Sequence, residues 1–147
     1  MNRLFVVLAL MTLIPISFPA CSKNPDETAI RELIEGMRVA AEKKEFEQTI
    51  EPVSSDYHDN LNGTRTDVAN RLNAVFAPYD RLLIKAPIQK IERNSISAVA
   101  WLKVFEMGVT GGQKEFVFGS PITPKTVELY LDKREGRWRV TGSLISR

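Results

Sequence analysis

The hydrophobic pattern of this chain changes period partway along, and that change predicts its architecture. Ile30, Leu33, Ile34, Met37 and Ala41 recur at the spacing that lines one face of an α-helix, with Arg31, Glu32, Glu35, Arg38 and Glu42 opposite them. Asn24-Pro25-Asp26-Glu27 supplies the start: an N-cap side chain, a proline at the first helical position, where no N–H is needed, and Glu27 in capping-box register. Phe46 and Ile50 predict a short second helix from Glu45 to Glu51, stopped by Pro52. Thr64 with Asp67 opens a third, which carries Val68, Leu72, Val75 and Phe76 inward until Pro78. Between them, Ser54 to Gly63 is polar and reads as a helix exit followed by turns.

From Leu82 onward the period shortens to two. Leu82, Ile84, Ala86 and Ile88 share one face of a first strand; Ser95 to Val109 makes a long second and Lys114 to Phe118 a third. Val127, Leu129 and Leu131 alternate in the next, and Trp138, Val140 and Leu144 in the last. Breaks fall at Arg93-Asn94, Gly111-Gly112, Ser120 to Pro124 and the turn around Glu135-Gly136. Helices first and a meander of strands after predict an α+β domain, its N-terminal helices packed on a curved, mostly antiparallel sheet. The long strand is apolar on both faces, with Ile96, Ala98, Ala100, Leu102 and Val104 on one and Val99, Trp101, Phe105 and Met107 on the other. The second face must meet either a partner, such as a second copy in a homodimer, or the chain's own Gln113 to Pro124 segment. Lys103 and Glu106 read as edge or rim charges.

Composition narrows the chemistry. With 20 Lys+Arg against 18 Asp+Glu, the net charge of +2 is too small for a nucleic-acid stripe, so no nucleic-acid partner is expected. One cysteine and one histidine among 147 residues exclude an internal disulfide, a Cys-based zinc site and a multi-histidine metal site. No phosphate-cradling glycine loop, paired-carboxylate constellation or nucleophile elbow occurs, and no metal or cofactor is expected. The candidate pocket residues are Tyr57, His58, Asp59, Tyr79 and Glu106. His58 is the one side chain whose ordinary pKa lies near neutrality, and Asp59 beside it could form a proton-transfer pair. The composition of Asp59 to Gly63 favours a solvated turn, however, and His58 then sits on the surface. Tyr57 and Tyr79 follow apolar runs and suit core positions with the hydroxyl at a rim.

At the N-terminus, Asn2-Arg3 precedes an uncharged, largely apolar run from Leu4 to Phe18, containing Pro15. It falls short of the about 20 residues a bilayer span needs, and its positive end, apolar middle and small terminal residue fit a secretory signal. Phe18-Pro19-Ala20-Cys21 resembles a bacterial lipobox. That resemblance implies removal of residues 1–20, acylation of Cys21 with palmitate among its chains, a tether over residues 21–24 and a domain over 25–147. Ser22, where inner-membrane retention in lipoproteins of diderm bacteria calls for Asp, implies the outer membrane, facing the periplasm.

The order of elements resembles the nuclear transport factor 2-like superfamily, which includes ketosteroid isomerases and SnoaL-type cyclases. Three stretches carry the likeness: Asp26 to Ala41 leading into Glu45-Phe46 and Ser55-Asp56-Tyr57; Thr66 to Tyr79; and Val127-Glu128-Leu129 to Gly136-Arg137-Trp138-Arg139-Val140. The resemblance implies a cystatin-like cone with a pocket at its wide end, and sheet-to-sheet dimers. The isomerase branch would add a first-helix tyrosine donor and a carboxylate base. These do not transfer, because the donor position falls near Met37 and the base position within Asp59 to Leu61. The expectation is a membrane-anchored, non-catalytic envelope lipoprotein whose cone binds a small apolar ligand or an envelope protein. The alternative is a pocket enzyme with isomerase, cyclase or hydrolase-like acid–base chemistry.

Overall fold

The structure, a computed structural model, describes residues 24–61 and 63–146. The segment that reads as a secretory signal, and Cys21, lie outside the described residues. The first helix, α1 (Pro25–Glu42), is capped by Asn24, whose Oδ1 accepts the Asp26 N–H at 3.0 Å. Glu27 does not close a capping box; it accepts from Arg31, one turn on, at 2.7 Å. A short α2 (Phe46–Ile50) follows, and then α3 (Arg65–Phe76), entered through a capping box in which the Thr64 N–H donates to the Asp67 carboxylate at 2.7 Å.

Seven strands make the sheet: β1 (Val53–Asp59), β2 (Arg81–Lys85), β3 (Ile88–Arg93), β4 (Ser97–Thr110), β5 (Gln113–Phe118), β6 (Lys125–Arg134) and β7 (Arg137–Ser146). All described pairings are antiparallel except β1 with β7. The long β4 organises the rest. One of its edges carries β3 on the first half and β2 on the second; the other carries β6 and then β5. The strand predicted from Leu82 to Ile88 is therefore two strands in line. Ala86-Pro87 interrupts them because proline has no N–H for the ladder, although its carbonyl still accepts from Lys103 N–H at 3.2 Å.

All three helices lie on one face. Ile30, Ile34, Ile50 and Tyr57 pack with Ala98, Ala100, Leu102, Leu131, Trp138 and Val140 in the main core, while Ala41, Phe76 and Leu82 form a second cluster toward the C-terminal half of β4. Met37 packs against the main core. At the other end, Asp26 accepts from Lys133 at 2.6 Å and from the Trp138 indole at 3.2 Å, pinning the first turn of α1 to the β6–β7 hairpin. Its turn places Glu135 and Gly136 at φ of 50° and 78°, the mirrored geometry that matches strand twist.

Two expectations are corrected. Ser54 to Asp59 is not a helix exit and turn but most of β1. Ser-Ser-Asp-Tyr-His-Asp carries little strand propensity of its own, and pairing with β7 overrides it. Gly142 permits that pairing, since a Cβ there would stand 2.8 Å from the His58 carbonyl. Nor does the segment after Gly112 cover the outer face of β4: Gln113–Phe118 pairs edge-on as β5, and Phe116 stays 58% exposed. Trp101 on that face is half-buried, with Lys90 Nζ 5.5 Å above its ring.

Candidate functional site

The second half of β4 meets α3 across an open angle, because the sheet curves away once β4 exchanges β3 and β6 for β2 and β5. The angle leaves a groove of about 390 Å³, walled by Val68, Leu72 and Val75 of α3, Leu82 and Ile84 of β2, and Phe118 of β5. Leu72, Val75 and Phe76 of α3 pack with Ala41, Leu82 and Ile84 at its base, and the groove lies open beside that second cluster. Two charged side chains line it, Glu106 and Arg71.

Glu106 is the unusual one. It extends from β4 opposite Ile84 and Phe118, is half-buried, and has no hydrogen-bond or ion-pair partner among the described residues. Burial alone pushes its carboxyl above the ordinary glutamate range. Its reading as an edge or rim charge is corrected: the alternation of β4 turns residue 106 to the same side as Leu102 and Val104, toward the helices. A carboxyl so placed can hold or release a proton in a drier setting than water provides, or receive a cation.

Asp59 occupies the opposite kind of environment. Its side chain is 2% exposed, it ends β1, and it accepts from Arg71 at 2.6 Å, from Gly63 N–H at 2.7 Å and from Leu61 N–H at 2.9 Å. Arg71 first, and then these amides, hold its carboxyl below the usual range. The turn after β1 is real, but Asp59 is its buried anchor rather than a solvated member. A Cβ on Gly63 would stand 2.5 Å from the Asp59 carboxylate, so the glycine is what lets the loop close over it. Sequence reasoning missed Arg71, which looks like any solvent-facing arginine on a helix until β1 is placed beside it.

The remaining candidates separate from Glu106. Tyr57 is buried, its hydroxyl 2.6 Å from Ser143 Oγ, and burial raises its pKa. His58, its neighbour on β1, points to solvent. Tyr79 lays its ring over Gly108, where an added Cβ would come within 2.2 Å, and its hydroxyl donates to Glu115 at 2.5 Å. That bond, more than burial or the nearby Glu106 charge, raises its pKa. The structure thus brings together Asp59 and Arg71, and leaves Glu106 without a second chemical group of the predicted set in contact.

No family model and no curated protein matches the chain by sequence. Solved structures do match. A Nostoc punctiforme protein of unknown function with a cystatin-like fold is 15% identical, covering 82% of this chain and 89% of its own, at a TM-score of 0.64. A nuclear transport factor 2-like protein from Novosphingobium aromaticivorans is 17% identical over 82% and 80%, at 0.64. A protein of the same organism, provisionally named scytalone dehydratase, is 12% identical over 82% of each chain, at 0.68. With helices on one face of a curved, mostly antiparallel sheet and these neighbours at such coverage, the chain has a cystatin-like cone fold.

Proposed function

We propose that this protein is a membrane-anchored envelope lipoprotein whose cone binds a small, largely apolar ligand without transforming it. The observation that carries the binding role is the groove between α3 and β4, whose volume and apolar walls are those of small-molecule sites. Val75→Trp should fill it. Small molecules extracted from the purified full chain and identified by mass spectrometry should be present for wild type and lost in the variant; equal recovery from both would remove the groove as the binding site.

Anchoring is supported by the single cysteine standing at the end of a signal-like segment. Labelled palmitate should enter wild type and not Cys21→Ser. The outer face of β4 supports association with a second copy, since Trp101, Phe105 and Met107 remain only half-buried and Phe116 and Tyr130 are exposed. Trp101→Lys should then give a folded monomer by light scattering, and a wild type monomeric at every concentration would refute the dimer.

A second reading, acid–base catalysis, is favoured by one observation, the upward-shifted Glu106 carboxyl inside the groove. Binding without turnover is the stronger reading because the hydroxyl nearest in kind, that of Tyr79, is committed to Glu115.

A further inference from the structure

We infer that the ligand of this groove is a protonated amine on an apolar body, seated with its nitrogen on Glu106. The inference rests on the proposal that the groove binds a small molecule, and it specifies that molecule's chemistry. Glu106 is a half-buried carboxylate with no cation, N–H or hydroxyl bonded to it among the described residues, in walls that are apolar (Ala41, Leu72, Val75, Leu82, Ile84 and Phe118 among them) apart from Arg71. Fixing an unpartnered carboxylate among apolar groups is costly unless something in the occupied state compensates it.

The charge balance of the walls decides between ligand classes. Facing Glu106, α1 contributes only Ala41, while β2 and β5 contribute no charged side chain to the lining. From α3 comes Arg71, whose guanidinium is bound to Asp59 at 2.6 Å, and Tyr79 beyond the groove is turned to Glu115. An anionic ligand would meet the Glu106 charge, and Arg71, the one cation of the lining, already offsets Asp59. A neutral ligand would leave the carboxylate as it was. An ammonium group supplies the missing partner and up to three donors, and its apolar body replaces water along the walls.

The test uses the full chain in lipid nanodiscs, with empty discs as the blank, and fluorine NMR of two probes of equal size, 4-fluorophenethylamine and 4-fluorophenethyl alcohol. Wild type should bind the amine at least tenfold more tightly than the alcohol. Glu106→Gln should erase that preference while still binding the alcohol, which shows that the groove is intact. The preference should also fade as pH falls through the raised carboxyl pKa, because the protonated acid no longer attracts the ammonium. Equal binding of both probes to wild type would overturn the amine assignment and leave the apolar groove standing. Binding of neither would overturn both.

Discussion

Two carboxylates flank α3, and they are held in opposite ways. Asp59, at the end of β1, is sealed from water yet fully provided for: a guanidinium and two backbone amides converge on it, and its pKa is driven down. Glu106, on β4, is less buried yet has no partner among the described residues, and its pKa is driven up by burial alone. The comparison teaches that burial does not decide the cost of a charge; the dipoles and charges arranged around it do. Asp59 therefore reads as structure, tying the loop after β1 to α3. Glu106 has no such structural tie among the described residues, which is why the proposed binding role falls to it.

The largest effect should come from removing the provided carboxylate. Asp59→Ala leaves the Gly63 and Leu61 amides without their acceptor and frees Arg71, and should cost about 3 kcal/mol in denaturant unfolding. A loss below about 1 kcal/mol would show that solvent already reaches this cluster and would collapse the contrast. Arg71→Leu should come next. It strands a buried anion, but Arg71 is 47% exposed, so about 2 kcal/mol is expected. NMR titration of Glu106 should not move in this variant, since burial alone sets its pKa. A shifted Glu106 would mean that the two carboxylates share Arg71.

The smaller effects carry opposite signs with pH. Glu106→Gln should stabilise the domain by about 1 kcal/mol at pH 7, because it removes an uncompensated charge. The raised pKa means that the folded state favours the protonated form. That contribution is complete below the unfolded value of about 4.3 and is lost as pH rises through the folded value, so wild type and Glu106→Gln should converge in acid and diverge toward neutrality. Asp59→Asn should converge with wild type in acid for the inverse reason. The depressed Asp59 pKa contributes stability in full above the unfolded value of about 3.9, and the contribution disappears as pH falls through the folded value. Denaturant midpoints measured from pH 3 to pH 8 would expose either sign as wrong.

How much of this was legible beforehand depended on whether the signal was local. Periodicity alone determined α1 and α3 and the strands from β4 onward, because each writes its own repeat, though not the break at Ala86-Pro87 that splits β2 from β3; the Asn24 cap, the Thr64–Asp67 box and the Glu135-Gly136 turn are settled by neighbours a few residues apart. The α+β class followed from their order. Tertiary structure decided the rest. Strand β1 exists because β7 is beside it, and Asp59 is buried because β1 places it against Arg71, twelve residues away along the chain. Glu106 shares its alternation with the core positions of β4, but whether a residue on that side meets packed side chains or an open groove depends on where the sheet curves away from α3. Local repeats specify faces; only long-range packing determines what each face meets.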